Sequence, residues 1–178
     1  MSATRKMTYT IKANKLSQNP MFIKFLNWSG DKYSVELTLK SLEESFTSES
    51  DKKAVRETIP NDEYLKDLDG FIKKFRIYMS AAILNKSVSD EFLAWLSNSF
   101  KYIQEEVSLY NNNETRSVHI KEPKGRWLEA LICYNFIMTF NNFGMDIIKR
   151  CPCSKFFAHK GKYAKYCCEE CKSKGMKK

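Results

Sequence analysis

The sequence predicts a mainly α-helical protein, in which a small helical domain that can hold a short two-stranded β element precedes a compact cysteine-rich unit. Two segments carry apolar residues at the spacing of three and four that marks a helix buried along one side, and a third segment is apolar nearly all round. Five of the six cysteines lie between Cys151 and Cys171, and most of the excess positive charge falls on the same stretch. We therefore place the helical domain at residues 1–148 and the cysteine-rich unit at residues 149–178.

The three helical segments can be bounded by their caps and their apolar periodicity. The first is expected to begin at a cap formed by Asn61 or Asp62 and to run to about Asn85. A second helix is expected over residues 89–107. The third, over residues 126–149, is apolar nearly all round, which is typical of the central helix of a small bundle.

Other parts of the helical domain are less clearly patterned. Residues 34–45 fit a helix, although the alternation at their start also fits a strand. Residues 8–12 and 117–121 alternate between apolar and polar side chains, so they are candidates for a pair of strands. Together these segments supply the short β element of the predicted fold.

Composition and hydropathy exclude several classes of protein. The chain has 178 residues, of which 43% are apolar, so it can bury a substantial core. Its longest nearly unbroken apolar run, Leu131–Phe140, is half the length of about 20 residues that a membrane-spanning helix needs. The N-terminus lacks the apolar segment of a secretory signal. We therefore expect a cytoplasmic protein that does not interact with membranes.

The charge is strongly polarised along the chain. Of 30 basic and 21 acidic residues, ten basic and two acidic residues lie in residues 149–178, which gives this stretch a net charge of +8. The other 148 residues carry 20 basic and 19 acidic groups and are nearly neutral. Such polarisation indicates a basic end that meets a polyanion. The alternative interpretation is a solvated tail that aids solubility.

The clustered cysteines predict a metal site. Disulfides are rare in a reducing compartment, so grouped thiols indicate metal binding there. Cys151 and Cys153 come first, thirteen residues intervene, and a second group begins at Cys167. Four thiolates suit one closed, tetrahedral, structural Zn²⁺. Thirty residues cannot bury a sufficient apolar core, so the metal would supply much of the folding free energy of this unit.

The order of residues in this unit resembles a treble-clef zinc finger. Such fingers open on Arg-Cys, continue through Cys-x-Lys-x-Phe and close on Tyr-Cys-x-x-x-Cys; here these are residues 150–151, 153–157 and 166–171. The resemblance implies a hairpin through Phe156–Phe157 and Ala164–Tyr166. It also implies that the last cysteine lies in the first turn of a helix.

The resemblance also implies which side chains bind the metal. Cys168 stands where the pattern often has serine, but it can replace a neighbouring thiol, because a C-x-x-C pair also chelates zinc. His159 can likewise replace a cysteine of the first pair. The predicted zinc ligands are Cys151, Cys153, Cys167 and Cys171.

The whole chain resembles the CGNR-type zinc-finger proteins, in which an α-helical region called ABATE precedes a C-terminal zinc finger. A Phe-Leu-Asn segment at residues 25–27, a helix–linker–helix pattern at residues 75–97 and a long apolar helix before Arg150-Cys151 are similar to that family. Residues 171–174 read Cys-Lys-Ser-Lys where the family has Cys-Gly-Asn-Arg, and the first cysteine pair is more closely spaced. The family is described as bacterial transcription regulators, so the resemblance implies a DNA-binding regulator.

The lysines of the finger suggest the same function from the residues themselves. Lysines on a hairpin and a terminal helix fit phosphate contacts, which give salt-dependent affinity. Arginine, the usual reader of guanine, is nearly absent from residues 149–178, so modest sequence specificity is expected. The helical domain would serve for homodimerisation, effector sensing or contact with a protein partner. The candidate nucleic-acid-binding residues are Lys155, Lys160, Lys162, Lys165, Lys172, Lys174, Lys177 and Lys178.

Three other functions are considered. RNA or single-strand binding would use Phe156, Tyr163 and Tyr166, which lie among lysines and can stack on bases. A protein-interaction adaptor would bring the basic finger to an acidic partner or a nucleoprotein complex. An enzyme is not expected, because the chain has only two histidines, His119 and His159, and no phosphate-binding loop or nucleophile elbow.

Overall fold

The fold is known from a computed structural model that describes residues 6–7, 20–44, 49, 52–53, 56, 61–100, 103–110, 113–120, 126–161 and 164–175. Within these residues the protein is mainly helical, with small antiparallel sheets and a cysteine cluster near the C-terminus, which confirms the predicted fold class. The helices are α1 (Met21–Leu26), α2 (Lys32–Glu43), α3 (Asp62–Asn85), α4 (Asp90–Phe100), α5 (Trp127–Phe143) and α6 (Glu169–Gly175). The strands are β1 (Lys6–Met7), β2 (Ile103–Tyr110), β3 (Asn113–Ile120), β4 (Ile148–Arg150) and β5 (Phe156–Ala158).

The helix α3 forms as its sequence predicts. The side chain of Asn61 accepts a hydrogen bond of 2.7 Å from the backbone N–H of Tyr64, so one of the unpaired donors of the first turn is satisfied. Asp62 and Glu63 follow, where acidic groups interact favourably with the helix dipole. The helix ends at Asn85, because Lys86 adopts the left-handed conformation with a φ of 53°.

The segment that fitted either a helix or a strand is the helix α2. Asp31 caps this helix, since its Oδ1 accepts a hydrogen bond of 2.7 Å from the backbone N–H of Ser34. Side-chain hydrogen bonds from Ser29 and Ser34 lower the pKa of Asp31 to about 2. The cap at Asp31 therefore favours the helix over the strand that the alternating start of this segment also fitted.

The predicted helix over residues 89–107 is wrong beyond Phe100. Residues 103–110 form β2, which pairs with β3 from Ile103↔Ile120 to Tyr110↔Asn113. A spacing of four, as between Ile103 and Val107, fits the period of a strand as well as that of a helix. Pairing with a second strand along eight residues gives the segment a regular hydrogen-bonding partner, and this outweighs its weak helical pattern.

The β element predicted around residues 117–121 is part of a three-stranded sheet with the order β1-β3-β2. The strand β3 pairs with Lys6 and Met7, opposite His119 and Val118. The predicted partner strand, residues 8–12, lies outside the described residues. The sheet therefore joins the N-terminal part of the chain to the hairpin of β2 and β3.

The third predicted helix is also shorter than expected, and this changes the geometry of the finger. The helix α5 ends at Phe143, and Gly144 then takes a φ of 73° that favours glycine. A short 3₁₀ turn leads into β4, which pairs antiparallel with β5 from Ile148↔Ala158 to Arg150↔Phe156. The predicted hairpin between Phe156–Phe157 and Ala164–Tyr166 is wrong, because β5 pairs with β4 and residues 164–166 form no strand.

The core is a cluster of aromatic rings between α3, α4 and α5. Phe75 lies at its centre, completely buried, with ring centroids 5.6 Å from Phe136, 5.8 Å from Trp95 and 5.9 Å from Phe92. Such aromatic pairs stabilise a fold by more than the burial of their surface area alone.

Among the described residues, no helix combines the length and the apolar content needed to cross a membrane.

One carboxyl group is buried at the edge of this core. Glu129 on α5 is 6% exposed and accepts a hydrogen bond of 3.4 Å from the hydroxyl of Tyr64. Burial raises the pKa of Glu129, the charge of Asp67 raises it further, and the charge of Arg126 opposes this shift. A raised pKa in the folded state means that the contribution of Glu129 to stability is complete at low pH and is lost as the pH rises through that pKa.

We therefore expect Glu129→Gln to remove a pH-dependent component of stability. Relative to the wild type, the variant should gain melting temperature as the pH is raised from 4 to 8, because glutamine has no charge to bury. Thermal unfolding at several pH values measures this difference. A difference in melting temperature that stays constant with pH would contradict the assignment.

Candidate metal centre

The first two thiols are positioned by a tight turn between β4 and β5. The backbone N–H of Cys151 donates to the carbonyl oxygen of Lys155 at 2.8 Å, and the N–H of Ser154 donates to the carbonyl of Cys151, also at 2.8 Å. Ser154 has a φ of 71°, which lets the chain reverse within this turn. The Cys151 side chain is buried and that of Cys153 is exposed, so the pair spans the inner and outer sides of the centre.

The second group of thiols lies at the start of α6. Cys167 precedes the helix and Cys171 lies in its first turn, as the resemblance to a treble clef implies. The ring of Tyr166 packs against Gly175, where a Cβ atom would clash with it. Tyr166 therefore fixes the far end of this short helix, and with it the direction in which Cys171 faces.

The four thiols lie close enough together to hold one metal ion. The Sγ atoms of Cys151, Cys153, Cys167 and Cys171 all lie within 4.8 Å of one another. The Sγ of Cys167 is 3.6 Å from that of Cys153 and 3.6 Å from that of Cys171. A tetrahedral zinc site with Zn–S bonds of about 2.3 Å has sulfur–sulfur edges of about 3.8 Å. The arrangement fits a zinc ion held by protein ligands alone, which is the form of a structural site.

The thiols influence one another's ionisation. A hydrogen bond from the backbone N–H of Lys155 lowers the pKa of Cys153 to about 7. Burial and hydrogen bonding to neighbouring thiols raise the pKa of Cys167, and hydrogen bonds with Cys168 and Cys153 raise that of Cys171 to about 12. Four adjacent thiolates repel one another without a cation, and a divalent metal would stabilise all four in the charged form.

The alternative ligands lie outside this group of four. Cys168 is exposed, with its Sγ 3.9 Å from that of Cys167. His159 is exposed, and its Nδ1 accepts a hydrogen bond of 2.8 Å from the N–H of Gly161. Cys133 is buried within α5, and burial raises its pKa to about 12, as expected of an inert thiol. Among the described residues, only the four-cysteine group has the geometry of a metal site.

The centre is attached to the helical core by a residue that our sequence analysis did not assign to the site. The Nδ2 of Asn27 donates to the carbonyl of Phe156, and its Oδ1 accepts from the N–H of Phe156, each at 2.8 Å. Phe156 and Ala158 also belong to the same buried cluster as the helices. In the sequence, Asn27 is the polar end of an apolar run and part of the Phe-Leu-Asn segment of the family resemblance, and neither feature identifies a partner 129 positions away.

We expect Asn27→Ala to destabilise the protein and weaken metal binding together. The substitution leaves the backbone N–H and C=O of Phe156 without their partners, which costs about 2 kcal/mol in total. Thermal unfolding and competition with a chelator measure the two effects. Asn85→Ala, an exposed asparagine at the end of α3, is the control. Equal metal affinity in the two variants would contradict the role of Asn27.

The predicted basic residues are distributed around the centre, and those in the described part of the chain are exposed. Lys155 follows the turn that carries the first cysteine pair, Lys160 follows β5, and Lys165 precedes the second pair. Lys172 and Lys174 lie on α6, and their amines are 3.7 Å from Glu169 and 2.6 Å from Glu170, respectively. The positions of Lys162, Lys177 and Lys178 lie outside the described residues.

Comparison with known proteins identifies no relative. No protein-family model matches the chain, and no curated protein or solved structure is significantly similar to it. The resemblance to CGNR-type proteins therefore stays a prediction from the sequence. What the geometry establishes is a mainly helical protein with a cluster of four cysteines that could bind one metal ion.

Proposed function

We propose that the protein is a DNA-binding transcription regulator that uses a zinc-ordered, lysine-rich C-terminal unit to bind duplex DNA. The observation that supports this proposal is the concentration of exposed lysines around the four-thiol centre, on a chain whose remainder is nearly neutral. Contacts between lysine and phosphate supply most of the affinity of non-specific DNA binding. The CGNR resemblance favours the same function.

The lysines around the centre differ in their local pairing. Lys172 and Lys174 each have a glutamate one turn away, which partly offsets their charge. Lys155 and Lys165 form no ion pair with any acidic residue that the structure describes. Their charge is fully available to a phosphate, so we expect these two to contribute most to binding.

The aromatic residues favour duplex DNA over a single strand. Phe156 is 4% exposed, and the guanidinium of Arg150 lies 5.7 Å from its ring centroid. A base stacks only on a ring whose face is open to solvent, and the ring of Phe156 is almost completely buried. Tyr166 is half-buried against α6, and Tyr163 lies outside the described residues. Phosphate contacts are therefore better supported than base stacking.

The test measures binding of fluorescent duplex DNA, single-stranded DNA and RNA at several salt concentrations, with and without a zinc chelator. We expect zinc-dependent binding to duplex DNA that weakens steeply with salt. In the double variant Lys155→Gln/Lys165→Gln, the slope of log K against log salt should become shallower by about 2. Each lost phosphate contact reduces its magnitude by about 0.9.

The control removes the same charge from the helical domain. Lys24→Gln/Lys66→Gln changes two exposed lysines far from the cysteines in the sequence and should leave the slope unchanged. Preference for RNA or a single strand would replace the proposal with the second function. Failure to bind any nucleic acid near physiological salt would overturn both and leave the adaptor function.

A further inference from the structure

Cys168 is a fifth thiol beside a site that four thiols complete. Its side chain is exposed, and its Sγ lies 3.9 Å from the Sγ of Cys167. Zinc in a structural site takes four ligands. A cysteine that lies next to such a site without being part of it is free to react, because the thiolate that coordinates a metal is less available than one that does not.

The position of Cys168 in the sequence makes Cys171 a suitable partner for a disulfide. It directly precedes α6, and Cys171 follows three residues later in the first turn. The carbonyl oxygen of Cys168 accepts a hydrogen bond of 3.1 Å from the backbone N–H of Lys172, so Cys168 belongs to the same helical turn as Cys171. Side chains three apart on a helix have Cβ atoms about 5 Å apart, and small adjustments bring such a pair into the range of a disulfide.

We propose that Cys168 is an oxidation site for peroxides, and that its oxidation leads to a disulfide with Cys171 that removes one ligand from the metal. This inference rests on the four-thiol metal centre and is independent of DNA binding. Cys168 would be a modification site at the edge of the centre, with a hydroperoxide as the co-substrate.

The chemistry balances in two steps. The Cys168 thiolate attacks one oxygen of hydrogen peroxide; an S–O bond forms, the O–O bond breaks, and hydroxide leaves to become water. The sulfur of Cys171 then attacks the sulfur of the Cys168 sulfenic acid; the S–S bond forms, and the S–O bond breaks with loss of a second hydroxide. Two thiolates lose two electrons in total, and one peroxide is reduced to two molecules of water.

The consequence follows from the number of ligands. With Cys171 in a disulfide, only Cys151, Cys153 and Cys167 are left to bind the metal, and the closed tetrahedral site is lost. The segment around α6 then loses the metal that holds it against the turn of the first pair. A thiol reductant would reverse the reaction and restore metal binding.

The experiment uses the zinc-loaded full chain and hydrogen peroxide, with a chromogenic chelator to record released zinc. The wild type should release one zinc per chain, and Cys168→Ser should retain its zinc over the same exposure. Cys133→Ala, which removes a thiol from the buried core instead, should release zinc as the wild type does. Dithiothreitol should restore zinc binding in the oxidised wild type.

Mass spectrometry locates the bond. Trypsin yields a peptide of residues 166–172 that contains Cys167, Cys168 and Cys171. After alkylation without reduction, Cys167 alone in this peptide should carry the alkyl group. A disulfide between other cysteines or between chains, zinc release from Cys168→Ser at the wild-type rate, or a Cys168→Ser protein that binds no zinc would each overturn the proposal.

Discussion

Replacing Cys151 with serine is expected to abolish stoichiometric metal binding and to release the C-terminal unit from its folded state. Cys151 is the buried member of the four, so its loss removes a ligand from the inner side of the centre, where an exposed thiol cannot replace it. Binding of zinc to small structural sites contributes about 10–16 kcal/mol of apparent free energy, which is then unavailable to fold the unit. Removing zinc from the wild type with a chelator should have the same effect.

Hydrogen exchange with and without zinc measures this loss directly. Amide protection should fall in β5 and α6, and it should also fall in α1, because Asn27 hydrogen-bonds to Phe156 of β5. Cys168→Ser is the matched control, since it removes a thiol that lies outside the group of four. If Cys151→Ser binds one zinc as tightly as this control, the four-thiol assignment is wrong.

Phe75→Ala is expected to be the most damaging single substitution in the helical core. The ring is completely buried and lies within 6 Å of the rings of Phe92, Trp95 and Phe136. Truncation of a buried phenylalanine to alanine costs about 3–5 kcal/mol, because both burial and packing are lost. A small domain has about 5–15 kcal/mol of stability in total, so the variant would be close to unfolding.

Ile77→Ala provides the comparison on the same helix. Ile77 lies two residues from Phe75 but is 70% exposed, so its truncation should change the free energy of unfolding by less than about 0.5 kcal/mol. Urea denaturation of both variants gives the two free energies. Equal costs would show that the aromatic cluster does not hold the three helices together.

Local patterns predicted the parts of the fold that local interactions determine. The helix α3 and its cap at Asn61 follow from a periodic stripe and a side chain that bonds within its own turn. The cysteine cluster could also be anticipated, because grouped thiols have few structural explanations other than a metal. Spacing alone left the ligand set open, and the structure brings together the four cysteines that the treble-clef pattern indicates.

The parts that sequence analysis missed depend on partners distant along the chain. The apolar residues Ile103 and Val107 fit a helix until β3 is known to pair with them. The segment after Gly144 continued the apolar pattern of α5, and only its pairing with β5 shows it to be a strand. The residues around Asn27 in the sequence do not identify Phe156 as its hydrogen-bonding partner.

The proposed centre holds one zinc ion on four cysteine thiolates near the C-terminus. X-ray absorption at the zinc edge, measured on the wild type and on Cys168→Ala, identifies the ligands of this ion. We expect one zinc per chain with four sulfur ligands at about 2.3 Å in both proteins. A nitrogen ligand in the wild type would place His159 in the site, and a loss of one sulfur in Cys168→Ala would place Cys168 there; either result would contradict the proposed centre.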